Sequence, residues 1–385
     1  NYFVEDSRSI FLNAAYANNY ADSMIMEWGG SGTPYSVAGF SGGGLDTELY
    51  PKAMGGFLKK SGNYVYGAHM GNESNTGALL RAAASDSDYA AAATTNQLAD
   101  ADNTLDLFFA GEASSMKWGL NFLYASSKTE TQGGLGVAES TADNLAVRVG
   151  VLAPSWEAYA NVSLKGEAER KNTTNAAKFD GKLGVHAGGA YNMGASKIIA
   201  AYKSLSWDQR FTTVVTAAKY SQMQLGWGHK REVSSNTSVY TNVSYRMTKI
   251  EASYITNPAE MTQTIVPLNV GFETKANDWL TWRGGISANL MGTVKEKGLA
   301  DHFGGTGSAF NRALTGEFGT KGTSTGTGEL KFTVGNSTVV SGGASLTFGK
   351  LSLDGMLGIA TATGARDATL KLDALLSRVA ASYWF

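Results

Sequence analysis

Leu375-Leu-Ser-Arg-Val-Ala-Ala-Ser-Tyr-Trp-Phe385 decides how the rest of this 385-residue chain is read. At every second position Val379, Ala381, Tyr383 and Phe385 make one apolar face, and Arg378, Ser382 and Trp384 make the other. Successive strand side chains point to opposite faces. One apolar face and one polar face, ending on aromatic rings, suit a strand between lipid and a wet interior with its rings at the membrane–water boundary. The stretch predicts the closing strand of a transmembrane barrel.

The same alternation recurs upstream. Leu145, Val147, Val149 and Val151 alternate with Asn144, Ala146, Arg148 and Gly150, and Trp156, Ala158, Ala160, Val162 and Leu164 with Glu157, Asn161, Ser163, Lys165 and Glu167. Further runs start at Phe179, Val266, Leu280, Val340 and Leu351. So many in series predict half-buried strands. Two stretches depart from the pattern. Phase is blurred around 196–210 by Ile198, Ile199, Ala200 and Ala201, and after Thr248 it flips, which predicts a bulge there.

Composition narrows the classes. There is no cysteine, so thiol catalysis, disulfides and cysteine-ligated metals are excluded. No run of about 18 apolar residues is present, so no helical span is expected, and a mean hydropathy of −0.16 is compatible with strands that show lipid only alternate residues. A net charge of −1 gives no ground for nucleic-acid binding. Asn1-Tyr-Phe-Val-Glu-Asp6 lacks the charged and apolar regions of a signal and reads as a mature end left after signal removal.

Connections alternate in length. Short turns are expected at 60–63, 113–115, 154–155, 193–196, 234–237, 275–278 and 349–350, and long connections at 72–103, 131–143, 171–177, 294–328 and 363–374. Short periplasmic turns and long external loops characterise outer-membrane barrels. Counting back from Phe385 gives an all-β, antiparallel up-and-down barrel of about sixteen strands over residues 24–385, or fourteen should the first fail, preceded by a segment of residues 1–23. Trp118, Trp156, Trp279, Trp282, Tyr383, Trp384 and Phe385 fall near turns or the C-terminus, as an interfacial girdle requires. Tryptophans alone would also suit the core of a soluble β-sandwich; the alternation, turns and end signature select the barrel.

The C-terminal phenylalanine with apolar residues at alternate positions before it resembles the signature of Gram-negative outer-membrane β-barrels, including porins. That resemblance implies an outer-membrane location among lipid and lipopolysaccharide, recognition of the last strand by the barrel-assembly machinery, and, by analogy with porins, a homotrimer. Phe11-Leu-Asn-Ala-Ala-Tyr16 resembles the Asn-Pro-Ala element near the N-terminal hatch of the long-chain fatty-acid transporter family, with Ala14 where proline stands and Tyr16 where glycine stands. It implies that residues 1–23 lie inside the lumen as a plug.

Sixteen strands enclose more space than strand side chains fill. The expected pore lining is Lys117, Arg148, Lys165, Lys182, Arg246, Arg283 and Arg378 with Asp106, Glu157, Glu167, Asp180, Glu273 and Asp354, a mixture of signs that predicts little ion selectivity. These charges would equally pair across the wall and stabilise a wet interior. Segment 72–103, Ala-rich over about 77–93, is a candidate constriction loop, and its Asp86, Asp88, Asp100 and Asp102 are either a cation site or a solvated acidic face. His69, His186, His229 and His302 are scattered without metal-binding spacing, and no phosphate-binding loop occurs. Neither enzyme activity nor a cofactor is expected. The expected function is passive diffusion of small hydrophilic solutes. The alternatives are a plugged transporter for hydrophobic molecules, or a non-conducting structural or surface-interaction protein.

Overall fold

Strands in this chain form because β-branched, aromatic and leucine residues recur with period two between turn residues. The computed structural model describes residues 6–28, 53–72, 104–133, 136–171, 176–211, 214–253, 258–297, 329–333, 338–360 and 375–385. The first half supplies β1 (Ser23–Trp28), β2 (Ala53–Ser61), β3 (Tyr64–Met70), β4 (Thr104–Ala113), β5 (Met116–Gly133), β6 (Gly136–Leu152), β7 (Trp156–Lys171), β8 (Ala176–Gly181) and β9 (Gly184–Met193). The second supplies β10 (Ser196–Phe211), β11 (Val214–Ser234), β12 (Thr237–Ser253), β13 (Pro258–Lys275), β14 (Leu280–Lys297), β15 (Glu329–Thr333), β16 (Val339–Phe348), β17 (Leu351–Ala360) and β18 (Leu375–Trp384).

All pairings are antiparallel, and β1 pairs with both β2 and β18, so the sheet closes. β8 and β9 both pair with β7 and β10, and β15 and β16 both pair with β14, so each couple is one interrupted stave. The eighteen segments make a closed barrel of sixteen staves, the expected number. The tight turns are where the sequence places them; Gly62, Gly194 and Gly349 take positive φ there, which glycine adopts without a Cβ clash.

The strands are taller than a membrane. At about 3.3 Å per residue and a tilt of about 40°, about ten residues cross an apolar band about 25 Å tall. β11 has 21 residues, and β5, β13 and β14 have 18 each. In the membrane section the outer face is apolar: Phe122, Tyr124, Tyr202, Met223, Leu225, Tyr245 and Ile286 are exposed. Higher up the faces exchange character. Lys249 and Glu251 point out, while Ile250 between them is buried inside, opposite Tyr220 and Met261. No bulge follows Thr248: β11–β12 pairing runs unshifted through it. The apparent flip is the strand leaving the bilayer. The blurred phase at 196–210 has a related cause, since Ile198 faces lipid and Ile199 faces a buried interior. The long connection expected at 131–143 is instead mostly strand, paired to Gly133–Gly136, because cross-strand ion pairs such as Lys128–Glu139 continue the ladder where apolar alternation stops.

True register shifts lie elsewhere. Leu145 pairs with Lys165 but Ala146 with Ser163, leaving Leu164 as an extra residue in β7. The break between β8 and β9 at Lys182–Leu183 lies beside it, so the wall lacks ladder pairs there on both sides of one stave.

Candidate functional site: the occupied lumen

Inside the wall lies the chain's own N-terminal stretch, as two short 3₁₀ turns, Ser7–Phe11 and Ala14–Asn18. The first is capped by Asp6, whose side chain accepts from the Arg8 N–H while the Ser9 hydroxyl accepts from the Asp6 N–H. Asn13 caps the second through the Ala15 N–H. Between these turns the backbone lies directly on the barrel wall. The wall permits this because Gly119 of β5 and Gly150 of β6 are cross-strand partners, both on the inner face. A Cβ at Gly119 would overlap the Ala14 backbone, and one at Gly150 would overlap the Asn13 side-chain oxygen.

Polar groups fix the register of this seat. The Asn13 amide donates to the carbonyls of Val151 and Ala158, at 3.4 Å each, and Asn18 donates to Trp118 O at 3.0 Å. Asn161 donates to Leu12 O at 3.0 Å. The Tyr16 hydroxyl donates to Glu157 at 2.7 Å, and Glu157 also pairs with Lys197 at 2.6 Å. Lys117 donates to Asn19, and Arg8 pairs with Glu27. Apolar contact adds to this: Ile10, Tyr16 and Ala17 pack with Leu58, Val65, Phe108 and Ala110 of β2–β4. Burying an isoleucine-sized side chain contributes about 1.5–3 kcal/mol. Below the seat Tyr20 stacks on Trp384 (centroids 6.3 Å apart), and the Phe385 N–H donates to Asp22 O.

Two further networks line the inner face. Asp106, fully buried on β4, pairs with Arg148, which also reaches Asn121 at 2.5 Å; Asn72 donates to the same carboxylate. Arg283 bridges Glu273 (2.6 Å) and Asp354 (2.8 Å), and Ser345 bonds Asp354. Arg246 also lies on this face, opposite Gln224. Arg378 stands opposite Met356 in the last ladder, and its side chain lies outside the described residues.

Four expected pore-lining residues lie on the other face. The extra residue at Leu164 shifts the phase of β7, so Lys165 and Glu167 sit outside with Asp143, and Asp180 follows as the partner of Glu167. Lys182, at the break in the next stave, joins Asp180 and Asp208 outside. Strict alternation from Trp156 does not register an inserted residue. Of the aromatics, Trp156, Trp279, Trp282, Tyr383 and Phe385 are exposed near the short turns, and Trp118 is half-buried on the outer side. Trp118 packs edge-on to Tyr64 and Phe109, and Trp279 stacks on Phe348. Trp384 is on the inner face with Tyr20. The expected constriction helix at about 77–93, the aspartates at 86, 88, 100 and 102, and His302 lie outside the described residues. Among the described residues no cluster of three or more metal-ligating side chains occurs.

Above the seat is a cavity of about 340 Å³. Its floor is Phe11; Leu123, Phe179 and Leu205 give it an apolar side, and Asn161 and Lys203 a polar one. It reaches the wall gap, where Gly166, Gly181 and Gly184 supply little side-chain bulk. Nearby the inner face is buried and apolar: Trp207 stacks on Phe179 at 5.9 Å, with Tyr220, Ile250, Met261 and Val294 on the following strands. Sequence reasoning did not find Gly119 and Gly150. An inward glycine resembles a bulge or a packing gap, and only their pairing across two strands reveals a seat.

A closed antiparallel wall with an apolar outer band and aromatic residues near its turns defines a transmembrane β-barrel of the Gram-negative outer-membrane type. No family model matches the chain, and no curated protein matches it. Among solved structures, the toluene transporter TodX of Pseudomonas putida aligns over 99% of this chain and 93% of its own, at 10% identity and a TM-score of 0.37. A FadL homologue from Pseudomonas aeruginosa aligns over 100% and 95%, at 11% identity and 0.44. The alcaligin receptor FauA of Bordetella pertussis aligns over 93% and 64%, at 8% identity and 0.47. The assignment to this class rests on the wall itself rather than on these alignments.

Proposed function

We propose that this barrel is an outer-membrane transporter for small molecules with substantial apolar surface, its lumen closed on one side by residues 7–20. The observation that carries the reading is the seat: a paired-glycine patch, five side-chain hydrogen bonds to or from Leu12, Asn13, Tyr16 and Asn18, and a cavity directly above it floored by Phe11. A hydrophilic solute has no use for a buried apolar layer of Phe179, Trp207, Tyr220 and Ile250; an apolar one desolvates against it. Selection is by cavity shape and burial, without a catalytic step or cofactor. Assembly through the C-terminal strand, and a trimer, belong to the same proposal.

A second reading has its own observation. Apart from Tyr20 on Trp384 of β18, the segment's named contacts fall on β1–β7, and the facing wall carries Arg283, Glu273 and Asp354, a mixed-sign lining suited to passive flow of small hydrophilic solutes. Fluorescence of Trp207 separates the two. Titration with an apolar probe such as naphthalene is expected to quench a saturable component that the Trp207→Phe protein lacks, whereas glucose or glycine leaves it unchanged. Saturable binding of the sugar with none of the aromatic would move the assignment to the porin reading.

A further inference from the structure

Charges on the inner face are largely matched in pairs. Asp106 meets Arg148, Glu157 meets Lys197, and Glu273 and Asp354 share Arg283. Arg246 on β12 departs from this. Among the described residues it has no ion pair and no hydrogen bond, and its Nε is buried without an acceptor. The flanking strands show why. Gln224 and Ile265 stand directly opposite it, with Gln222 and Gly226 on β11 and Gln263 on β13 one inward position away. None of these is a carboxylate. The inward Glu273 of β13 lies eight residues below Ile265 and is held by Arg283.

The strand presents more than a guanidinium. Ser244 and Thr248 lie two residues to either side of Arg246, so period two puts all three side chains on the inner face. Both hydroxyl residues are buried, at 5% and 2% exposure. Each accepts a hydrogen bond from a glutamine: Gln224 Nε2 donates to Ser244 Oγ at 3.3 Å, and Gln222 Nε2 to Thr248 Oγ1 at 3.1 Å. A hydroxyl that accepts still has one proton to give. Neither proton meets an acceptor among the described residues. The row therefore reads hydroxyl donor, guanidinium, hydroxyl donor, with the glutamine amides fixing the two oxygens. Buried donors without acceptors are costly, and a charged one most of all.

We infer that Arg246, flanked by Ser244 and Thr248, is an oxyanion subsite that receives a carboxylate or phosphate group of a solute entering the lumen. A guanidinium fork meets two oxygens of such a group in parallel, charge-assisted hydrogen bonds. The hydroxyls stand about 6.6 Å along the strand to either side, within reach of an anion held on that arm. Height suits capture. Arg246 stands nine residues above Thr237, about 23 Å at about 2.5 Å per tilted residue, whereas Gly150 of the seat is only two above Leu152. A solute arriving from the side of the long loops meets the arginine before the seat. A lining of mixed sign is thus locally attractive to anions, because its other charges are paired. The subsite lies on the β11–β13 wall, away from the seat, so its failure would leave the transport reading standing.

The test is calorimetric titration of the full-length barrel in detergent at constant ionic strength, with sodium phosphate, sodium acetate and, as the uncharged counterpart, acetamide. These solutes are too polar to report on the apolar cavity. Saturable binding of phosphate, acetate or both is expected, and the anion that binds identifies the group the site takes. Arg246→Gln should weaken binding at least about tenfold, since charge-assisted hydrogen bonds are about twice as strong as neutral ones. Ser244→Ala combined with Thr248→Val keeps the charge and should weaken it about threefold. Lys230→Gln removes a cation lower on β11 that Glu232 already pairs, and should leave binding unchanged. Each variant is shown to be folded by its faster gel migration before heating; should Arg246→Gln fail that check, the hydroxyl variant carries the test. No saturable binding of either anion by the wild type, acetamide binding as tightly as the anions, Arg246→Gln within twofold of wild type, native affinity in the hydroxyl variant, or an equal loss in Lys230→Gln would each overturn the inference.

Discussion

Valine at Gly150 tests the seat at its tightest point. The wall itself tolerates the change, since valine favours strands and Gly150 pairs within the ladder with Gly119 and Tyr159. The N-terminal stretch does not tolerate it: the first new carbon overlaps the Asn13 side-chain oxygen, which caps the second turn. Displacing Asn13 removes three bonds, its two to Val151 O and Ala158 O and the cap it accepts from the Ala15 N–H, and strains the neighbouring bonds of Leu12 and Asn18. At about 1 kcal/mol net per hydrogen bond, losing three contributes about 3 kcal/mol, which is about a hundredfold in the ratio of unseated to seated protein. Planar-bilayer recording reads that ratio as open time. Gly150→Val protein should show long-lived conducting episodes at least tenfold more often than the native chain, and Gly119→Val should behave alike because it meets the Ala14 backbone. A correctly folded Gly150→Val barrel with native open time would refute the assignment of this glycine pair as the seat.

Other expectations follow from single contacts. Tyr16→Phe deletes one bond to Glu157 but leaves that carboxylate paired with Lys197, so open time should rise about fivefold with unchanged unfolding in urea. Arg148→Ala leaves the fully buried Asp106 without its cation, and unfolding should become easier by about 3–5 kcal/mol; a loss under 1 kcal/mol would mean that water already reaches the carboxylate. Asp22, in the link between the seat and β1, is held below the ordinary carboxylate range chiefly by a hydrogen bond from Lys59. Its folded pKa is depressed, so the tether is present above the unfolded value of about 4 and is lost only as pH falls through the lowered one. Open time should therefore be flat from pH 7 to about pH 5 and rise in stronger acid, a rise that Asp22→Asn abolishes.

Much of the wall was legible because two-sided burial writes itself into sequence with period two. The C-terminal alternation, the turns at Gly62, Gly194 and Gly349, and the sixteen staves all follow from that period and from turn chemistry. What alternation hides is a change of environment along one strand. Beyond Thr248 the same pleat continues, but outside becomes polar and inside becomes apolar, and a sequence pattern reads this as a change of phase. An inserted residue has the converse effect: Leu164 turns Lys165 and Glu167 outward although the pattern looks continuous. Arg148, Glu157, Glu273, Arg283 and Asp354 were legible as inner-face charges because no insertion separates them from their turns. The seat itself was half legible. Phe11–Tyr16 stood out as a non-alternating stretch before the first strand, while its receptor, two glycines 31 positions apart, carries no local signal and exists only once β5 and β6 pair.

The central claim is that residues 7–20 close the lumen from within. Single-channel conductance of the native chain, beside a chain beginning at Ala21, measures it most directly. Near-silence that becomes large, stable, ohmic steps on removal of the segment is the predicted result. Equal conductance from two barrels that are both folded by heat-modifiable migration would contradict it.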